Sequence, residues 1–338
     1  MGAAVGSLPR PFMSSRIPAK HGKGVSVMSA SPEQAGSNPP AGLPLVSFLI
    51  PAYNHERFIE KCLDSVLFDK YPSKQLVVIN DGSTDRTAQL IADWIARRKS
   101  LLDIRYVDRE NKGVGATLNE LRALATGTYL RLGASDDYYL PEGTSPLVSY
   151  LEANPKKLAV VADCIVVDDE ERVVHDSAMV GLFNVDKSRY GTDEGIRREI
   201  ISRWAIGGPV PLLRAQGLDV AEGWNEDFLI DDWDFFLRLA ALGAIGFIDV
   251  KVGAYRLHGT NTSKTRDRAK RIANLRNMAD AVNRNVIKFN EQYRILLRAQ
   301  GRLIAAKIAY LEGRYIDAAW NALVFGGLRA ASSMASVV

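Results

Sequence analysis

The chain has 338 residues, of which 47% are apolar and 24% charged, a composition that fits a folded globular protein and excludes a wholly disordered or fibrous one. Its 43 basic and 39 acidic side chains leave a net charge of +4, which gives no indication of a nucleic-acid partner. With two cysteines, no apolar run of about 18 residues and no signal-peptide pattern, the sequence predicts a cytoplasmic protein without disulfides or membrane-spanning helices.

Residues 1–44 are rich in Gly, Ser, Pro and Ala and show no apolar periodicity. A segment of this composition cannot bury enough apolar surface to offset the entropy lost on ordering, so we expect a disordered leader. From Leu45 onward, short apolar runs alternate with amphipathic segments. This alternation predicts an α/β fold in which a mostly parallel sheet carries helices on both faces.

Four strands are expected in the first half of this region, at residues 46–50, 76–79, 104–107 and from 128 onward. The first strand leads into a turn that contains Pro51, Tyr53 and Asn54. After the second strand, Ser83 or Thr84 can cap the helix that follows.

The fourth strand ends in two adjacent carboxylates, Asp136 and Asp137, beside a turn. Carboxylates at the carboxyl end of a parallel strand lie at the sheet edge where α/β folds hold their ligands. Mg²⁺ and Mn²⁺ bind to one or two such groups together with substrate phosphates. The pair therefore indicates a metal site, although solvated turn residues would give the same pattern.

Three segments, VSFLIPAYN, VVINDGSTDRT and NKGVGATLNELRALATGTYLRLGASDDYYLP, closely resemble the nucleotide-binding half of family 2 glycosyltransferases, which have the GT-A (Rossmann-like) fold. The resemblance covers residues 45–142 and implies a nucleotide-diphosphate-sugar donor. It implies that the donor-binding residues are Pro51, Tyr53, Asn54, Asp81, Asp136 and Asp137. Asp81 would contact the base or the ribose, whereas by itself it would equally fit an Asx turn at a helix start.

One position departs from the family's pattern. Members carry Asp-x-Asp at the end of the fourth strand, and the first Asp of that motif falls on Ala134 here. Asp136 is then the expected ligand of Mn²⁺ or Mg²⁺. Because each anionic ligand adds to cation affinity, a weak-metal or metal-independent variant remains open.

The second half of the domain, residues 143–263, contains two further strands and then the segment GLDVAEGWNEDFLIDDWDFFLRLAALG. This segment resembles the acceptor-side half of the same family, in which an acidic pair opens a helix. The resemblance implies Asp232 as the catalytic base, with Asp231 second. A carboxylate near the positive end of a helix dipole stays ionised and accessible, although acids at a helix start often only satisfy its backbone amides.

The later segment AYRLHGTNTS also resembles the family, whose members often keep an Arg and a His at the edge of the donor site. His258 is the expected second metal ligand, and its imidazole would partly compensate for Ala134, since Mn²⁺ tolerates nitrogen better than Mg²⁺. Arg256 is expected to bind the diphosphate through both of its terminal nitrogens. A capped turn ahead of a helix is the alternative for both residues.

Residues 264–338 form the predicted C-terminal helical region. Apolar residues of two interleaved heptad series run from Ile272 to Leu296, a narrow stripe that would suit a partner helix and a homodimer. Basic residues outnumber acidic ones here and could rest on anionic lipid, giving peripheral contact with the inner membrane face. The end of the region predicts a helical hairpin of tetratricopeptide type with Gly313 at its turn.

The resemblance implies an inverting transfer from a nucleotide-diphosphate sugar, with UDP-sugars favoured, to a hydroxyl of a saccharide or lipid-linked acceptor. Such a reaction would belong to polysaccharide or glycoconjugate biosynthesis. Two alternatives remain open, a binding or regulatory protein that kept the fold but lost turnover, and a sugar nucleotidyltransferase. PAYNHERF lacks the Gly-rich, basic loop that usually follows the first strand of nucleotidyltransferases.

Overall fold

The computed structural model describes residues 26–30, 42–228, 232–259, 261, 265 and 267–334. Within these residues, ten strands form one sheet. The strands are β1 Ser26–Ala30, β2 Val46–Ala52, β3 Lys74–Asp81, β4 Asp103–Arg109, β5 Tyr129–Leu132, β6 Tyr138–Tyr139, β7 Ala159–Val167, β8 Val173–His175, β9 Leu212–Arg214 and β10 Ile245–Arg256.

The same part of the chain contains ten α-helices, of which the last three form a C-terminal group. They are α1 Ile59–Phe68, α2 Thr87–Arg98, α3 Val114–Leu124, α4 Thr144–Ala153, α5 Asp193–Ser202, α6 Ala215–Val220, α7 Asp232–Ala241, α8 Arg268–Asn285, α9 Glu291–Leu311 and α10 Tyr315–Met334.

The strand order is β1-β4-β3-β2-β5-β9-β7-β10-β6, and β8 pairs with β7 off this path. Strands β4, β3, β2 and β5 are parallel, as predicted for the first half of the domain. In the second half β9 is antiparallel to both of its neighbours, while β10 is parallel to β7. Because parallel strands need crossover connections, helices follow β2, β3 and β4 in sequence.

The leader prediction is wrong for Ser26–Ala30, which form the edge strand β1 antiparallel to β4. The outer edge of β4 would otherwise expose a row of backbone donors and acceptors, and five residues suffice to pair with it. Composition alone does not reveal such a docking site. The other residues of the predicted leader up to residue 41 lie outside the described part of the chain.

The buried parallel strands of the sheet bring the polar residues that follow them to one edge. Val46, Phe48, Leu49 and Ile50 on β2 are fully buried, as expected for a parallel strand covered on both faces. Strands β2, β3 and β5 pair in parallel register, so their carboxyl ends meet at one sheet edge. The polar residues after each strand are thereby gathered at that edge.

The predicted continuous stripe over residues 272–296 is wrong. Helix α8 ends at Asn285, a short 3₁₀ turn follows, and α9 begins at Glu291 with the Asn290 side chain accepting from the Tyr293 amide. The apolar residues of the stripe that lie nearest this break are buried within the chain's own core, namely Val282, Phe289, Tyr293 and Leu296. The surface on which a homodimer was expected is thus used internally, against α5 and α7.

Helices α9 and α10 form the predicted hairpin, and Gly313 takes a φ of 80° at its turn. Helix α10 exposes Ile316, Trp320 and Leu323, which follow one another at helical spacing. Among the described helices, none combines the length and apolar content that a membrane crossing requires.

Candidate active site

A large open cavity of about 1690 Å³ lies at the carboxyl edge of the parallel strands. It extends from the turn after β2 and the loop after β5, across the start of α7, to the helices α8–α10. Seven predicted site residues line it, namely Pro51, Tyr53, Asn54, Asp81, Asp136, Asp137 and Asp232.

Asp136, His258 and His55 form a compact group, of which Asp136 and His55 line this cavity and His258 lies buried directly behind them. The His258 Nε2 atom lies 2.9 Å from the Asp136 Oδ2 atom, and the His55 Nε2 atom lies 3.7 Å from the same oxygen. One ligand atom from each residue lies within 4.8 Å of the other two. Two imidazoles and one carboxylate suit a transition-metal ion such as Mn²⁺ better than Mg²⁺, which prefers oxygen ligands.

His55 was not predicted from the sequence. Its Nδ1 atom lies 2.7 Å from the Ser135 hydroxyl, an arrangement that fixes the ring and directs Nε2 toward Asp136. Burial lowers the pKa of His55, against the opposing effect of Asp136, so the imidazole is neutral near pH 7. The only sequence signal was a histidine directly after the PAYN turn, and no metal-ligand spacing connects residue 55 to residue 136.

The carboxylates of the pair differ in environment. Burial opposes ionisation of Asp136, but the hydrogen bond with His258 and the nearby imidazole of His55 outweigh it and lower the pKa of Asp136. Asp137 is buried, and its burial together with the adjacent Asp136 raises its pKa well above the usual range. The Asp137 Oδ1 atom accepts a hydrogen bond of 2.8 Å from the Arg256 amide.

Arg256 is bonded to groups of the protein itself. Its side chain is only 2% exposed and is not among the residues that line the cavity. The guanidinium donates to the Asp136 and Asp168 carbonyls and to the Glu171 carboxylate, and it packs over the Phe58 ring. Arg256, the last residue of β10, thus supports the loop after β5 through the Asp136 carbonyl, and its contact with a diphosphate remains a prediction.

The turn after β2 and the loop after β3 hold each other in place. Asn54 has a φ of 53°, and its side-chain oxygen accepts from the Thr84 amide at 2.7 Å. The Asn54 amide in turn donates to the Ser83 hydroxyl. The predicted capping role of Ser83 or Thr84 is therefore wrong, because α2 begins later, at Thr87. The Asp85 carboxylate accepts a hydrogen bond from the Thr87 backbone amide at this helix start.

Asp81 is buried at the cavity wall and is held by three groups. Its carboxylate pairs with Arg109 and accepts from the amides of Lys112 and Gly113 at 2.8 and 3.1 Å. These contacts fix the loop after β4 against the end of β3. Its contact with a base or ribose remains a prediction.

Asp232 is the first residue of α7, and it lines the cavity with its side chain exposed there. The protein surrounding the cavity raises the pKa of this carboxyl to about 6 by desolvation. A base with this pKa is largely ionised at pH 7 yet binds a proton far more readily than an ordinary aspartate. The second candidate, Asp231, lies outside the described residues.

Comparison with known proteins gives a consistent result. The sequence profile described as Glycosyl transferase family 2 matches residues 47–202. The chondroitin synthase of Escherichia coli is 25% identical over 222 residues, which cover 65% of this chain and 30% of the synthase. This chain thus spans less than a third of that relative's length.

Two solved structures share the fold. A mannosyltransferase from Pyrobaculum calidifontis, in complex with GDP-Man and Mn²⁺, superposes with a TM-score of 0.58 at 18% identity, covering 89% of this chain and 83% of the other. S. aureus TarS 1-349, in complex with UDP-GlcNAc, gives a TM-score of 0.54 at 17% identity and covers 85% and 92%. These similarities confirm the predicted GT-A fold.

Proposed function

The domain at residues 47–202 makes this chain a member of glycosyltransferase family 2, and from that premise we propose that it transfers a sugar from a nucleoside-diphosphate sugar to an acceptor hydroxyl. One observation carries the proposal. Asp232 lines the same cavity as Asp136 and His55, two of the three residues of the His–Asp–His group. A base and a cation site within one cavity are what such a transfer needs.

The reaction proposed for this cavity inverts the anomeric carbon. The acceptor oxygen bonds to that carbon while the bond between the carbon and the diphosphate oxygen breaks. Asp232 takes the proton of the acceptor hydroxyl, and the electron pair leaves with the nucleoside diphosphate. The raised pKa supports this role because it brings the base closer to the pH at which it works.

Asp136, His258 and His55 are the residues that would hold Mn²⁺ or Mg²⁺. They fit a cation because three ligand atoms of suitable chemistry lie within 4.8 Å of one another. A bound cation stabilises negative charge on a departing diphosphate. Other residues of the chain fix these ligands. The Ser135 hydroxyl bonds to His55 Nδ1, and the Arg256 guanidinium donates to the Asp136 carbonyl.

The donor and the acceptor belong to this proposal as well. Similarity to chondroitin synthase over 65% of the chain supports a role in building polysaccharide or a related glycoconjugate, with a saccharide or lipid-linked acceptor. We propose a UDP-sugar as donor, and a GDP-sugar is the alternative to be tested. The exposed apolar face of α10, with Ile316 and Trp320, supports peripheral membrane contact through that helix.

The test is release of nucleoside diphosphate from a panel of UDP- and GDP-sugars in the presence of Mn²⁺. Release from one donor class is the expected result. Donor binding without release would favour the rival interpretation, a protein that kept the fold and lost turnover. Asp136→Ala should lose metal-dependent binding of the nucleoside diphosphate in calorimetry while remaining folded, and unchanged affinity would exclude Asp136 as a ligand.

A further inference from the structure

The charged residues lining the cavity differ in sign between the elements that carry them, with Arg203 after α5 as the exception. The acidic ones, Asp81, Asp136, Asp137 and Asp232, come from the strand ends and the start of α7. The far wall is built by α8, α9 and α10, and its charged lining residues are all basic, namely Lys270, Arg271 and Lys307. A ligand that reaches from one end to the other therefore meets an acidic end and a basic wall.

The three cations of this wall have no acidic partner in the described part of the chain. Within the described residues, no ion pair forms at Lys270, Arg271 or Lys307, and all three are exposed. Some other cations of the same helices are paired with acids, such as Arg276 with Glu312 and Arg294 with Glu291. The positive charge of the wall is thus available to a ligand.

Gln300 adds a polar side chain to the same wall. This residue on α9 lines the cavity, yet its side chain is only 6% exposed. Its Nε2 donor has no hydrogen-bond partner in the described part of the chain. A buried amide donor without an acceptor is costly, and because Nε2 itself is closed to solvent, it marks a polar position just behind the cavity surface.

The same wall presents aromatic surface. Tyr310 and Tyr315 line the cavity and are 65% and 66% exposed, with ring centroids 5.7 Å apart. Exposed tyrosine rings offer an apolar face together with a polar hydroxyl, a combination that suits the C–H face and the hydroxyls of a sugar ring. Cations, an amide donor and aromatic rings on one wall match an anionic saccharide.

We propose that the wall formed by Lys270, Arg271, Gln300, Lys307 and the two tyrosines is the acceptor subsite, and that it selects acceptors bearing carboxylate or phosphate groups. The inference rests on the proposed transferase activity, since it assigns the far end of the same cavity to the second substrate. Charge complementarity at such a subsite changes affinity for the acceptor and leaves donor binding at the opposite end unchanged.

The test compares two charge-matched double variants. The double variant Lys270→Glu/Lys307→Glu reverses the charge of two side chains of the wall. The control variant Lys99→Glu/Lys156→Glu makes the same change in net charge at exposed lysines outside the cavity lining. Lys270 lies in the first turn of α8, where an acid is tolerated by the helix dipole, so the first variant is expected to fold. Calorimetry would use a uronate-containing tetrasaccharide, its carboxyl-reduced counterpart and a glycerol-phosphate oligomer, and anionic vesicles as a separate arm.

The wild type should bind one or both anionic oligomers, and bind the carboxyl-reduced sugar more weakly, on the order of tenfold, which corresponds to about 1.4 kcal/mol. The wall variant should lose this preference, while the control variant keeps it and both bind nucleoside diphosphate normally. Equal binding of charged and reduced sugars, equal loss in the control, or binding only to vesicles would overturn the inference. Absence of sugar release from any donor would instead refute the proposed function, because these binding measurements need no turnover.

Discussion

Replacing His55 tests whether the missing carboxylate at Ala134 is compensated by an imidazole. In the structure the His55 Nε2 atom lies 3.7 Å from Asp136 Oδ2, and the Nδ1 contact with Ser135 fixes the ring. We expect His55→Ala to weaken Mn²⁺ binding by about 10- to 100-fold, on the scale of losses seen when a partner at a metal site is removed. This range corresponds to about 1.4–2.8 kcal/mol.

The variant His55→Asp tests whether residue 55 determines the preference for Mn²⁺ over Mg²⁺. It replaces the nitrogen ligand with a carboxylate and so supplies the chemistry that Ala134 lacks. Because Mg²⁺ prefers oxygen ligands and Mn²⁺ accepts nitrogen, His55→Asp should raise Mg²⁺ affinity relative to Mn²⁺. His175, on β8 and outside the cavity lining, provides the matched control His175→Ala.

The assay is titration with each metal alone, followed by calorimetry and, for Mn²⁺, by the loss of the electron paramagnetic resonance signal of the free ion. Thermal unfolding would confirm that each variant is folded. If His55→Ala binds Mn²⁺ as the wild type does, or if His55→Asp leaves the Mg²⁺ to Mn²⁺ ratio unchanged, His55 is not a ligand. The cation would then rest on Asp136 and His258.

Turnover should fall as the pH drops below about 6, because the raised pKa of Asp232 leaves the base protonated there, and a pH profile of kcat checks this. Val282→Glu/Phe289→Glu should cost on the order of 5 kcal/mol or more in the free energy of unfolding, since both side chains are buried; a folded variant in thermal denaturation would contradict this. Arg256→Leu should cost about 2–4 kcal/mol in the free energy of unfolding, because it leaves two part-buried carbonyls and the Glu171 carboxylate without their donor; a stable variant that loses only donor binding would instead support the diphosphate role.

The first half of the fold could be predicted because its strands are continuous apolar runs bounded by polar turns. The strand predicted at residues 46–50 is observed as Val46–Ala52, and the one at 76–79 as Lys74–Asp81. A buried parallel strand leaves this signal in the sequence whatever surrounds it. Its carboxyl end then places Asp81 and Asp136 at one edge without further information.

The parts that failed depend on tertiary contacts that have no local pattern. His55 approaches Asp136 only because β2 and β5 are neighbours, and no spacing in the chain encodes that contact. Arg256 bonds to the backbone of the loop after β5, a contact that its place in the sequence does not indicate. The apolar heptad spacing continues in the sequence although helix α8 ends at Asn285 and α9 begins at Glu291. Two consecutive helices that pack on one core can have the same apolar spacing as a single long helix.

Asp232 is proposed to act as the base in a sugar transfer within this cavity. The most direct test measures nucleoside diphosphate release and donor affinity together for the wild type, Asp232→Asn and the control Asp93→Asn on the exposed face of α2. Asp232→Asn should lower turnover by roughly 10² to 10⁴ with donor affinity nearly unchanged, and the control should match the wild type. Normal turnover in Asp232→Asn would contradict the account.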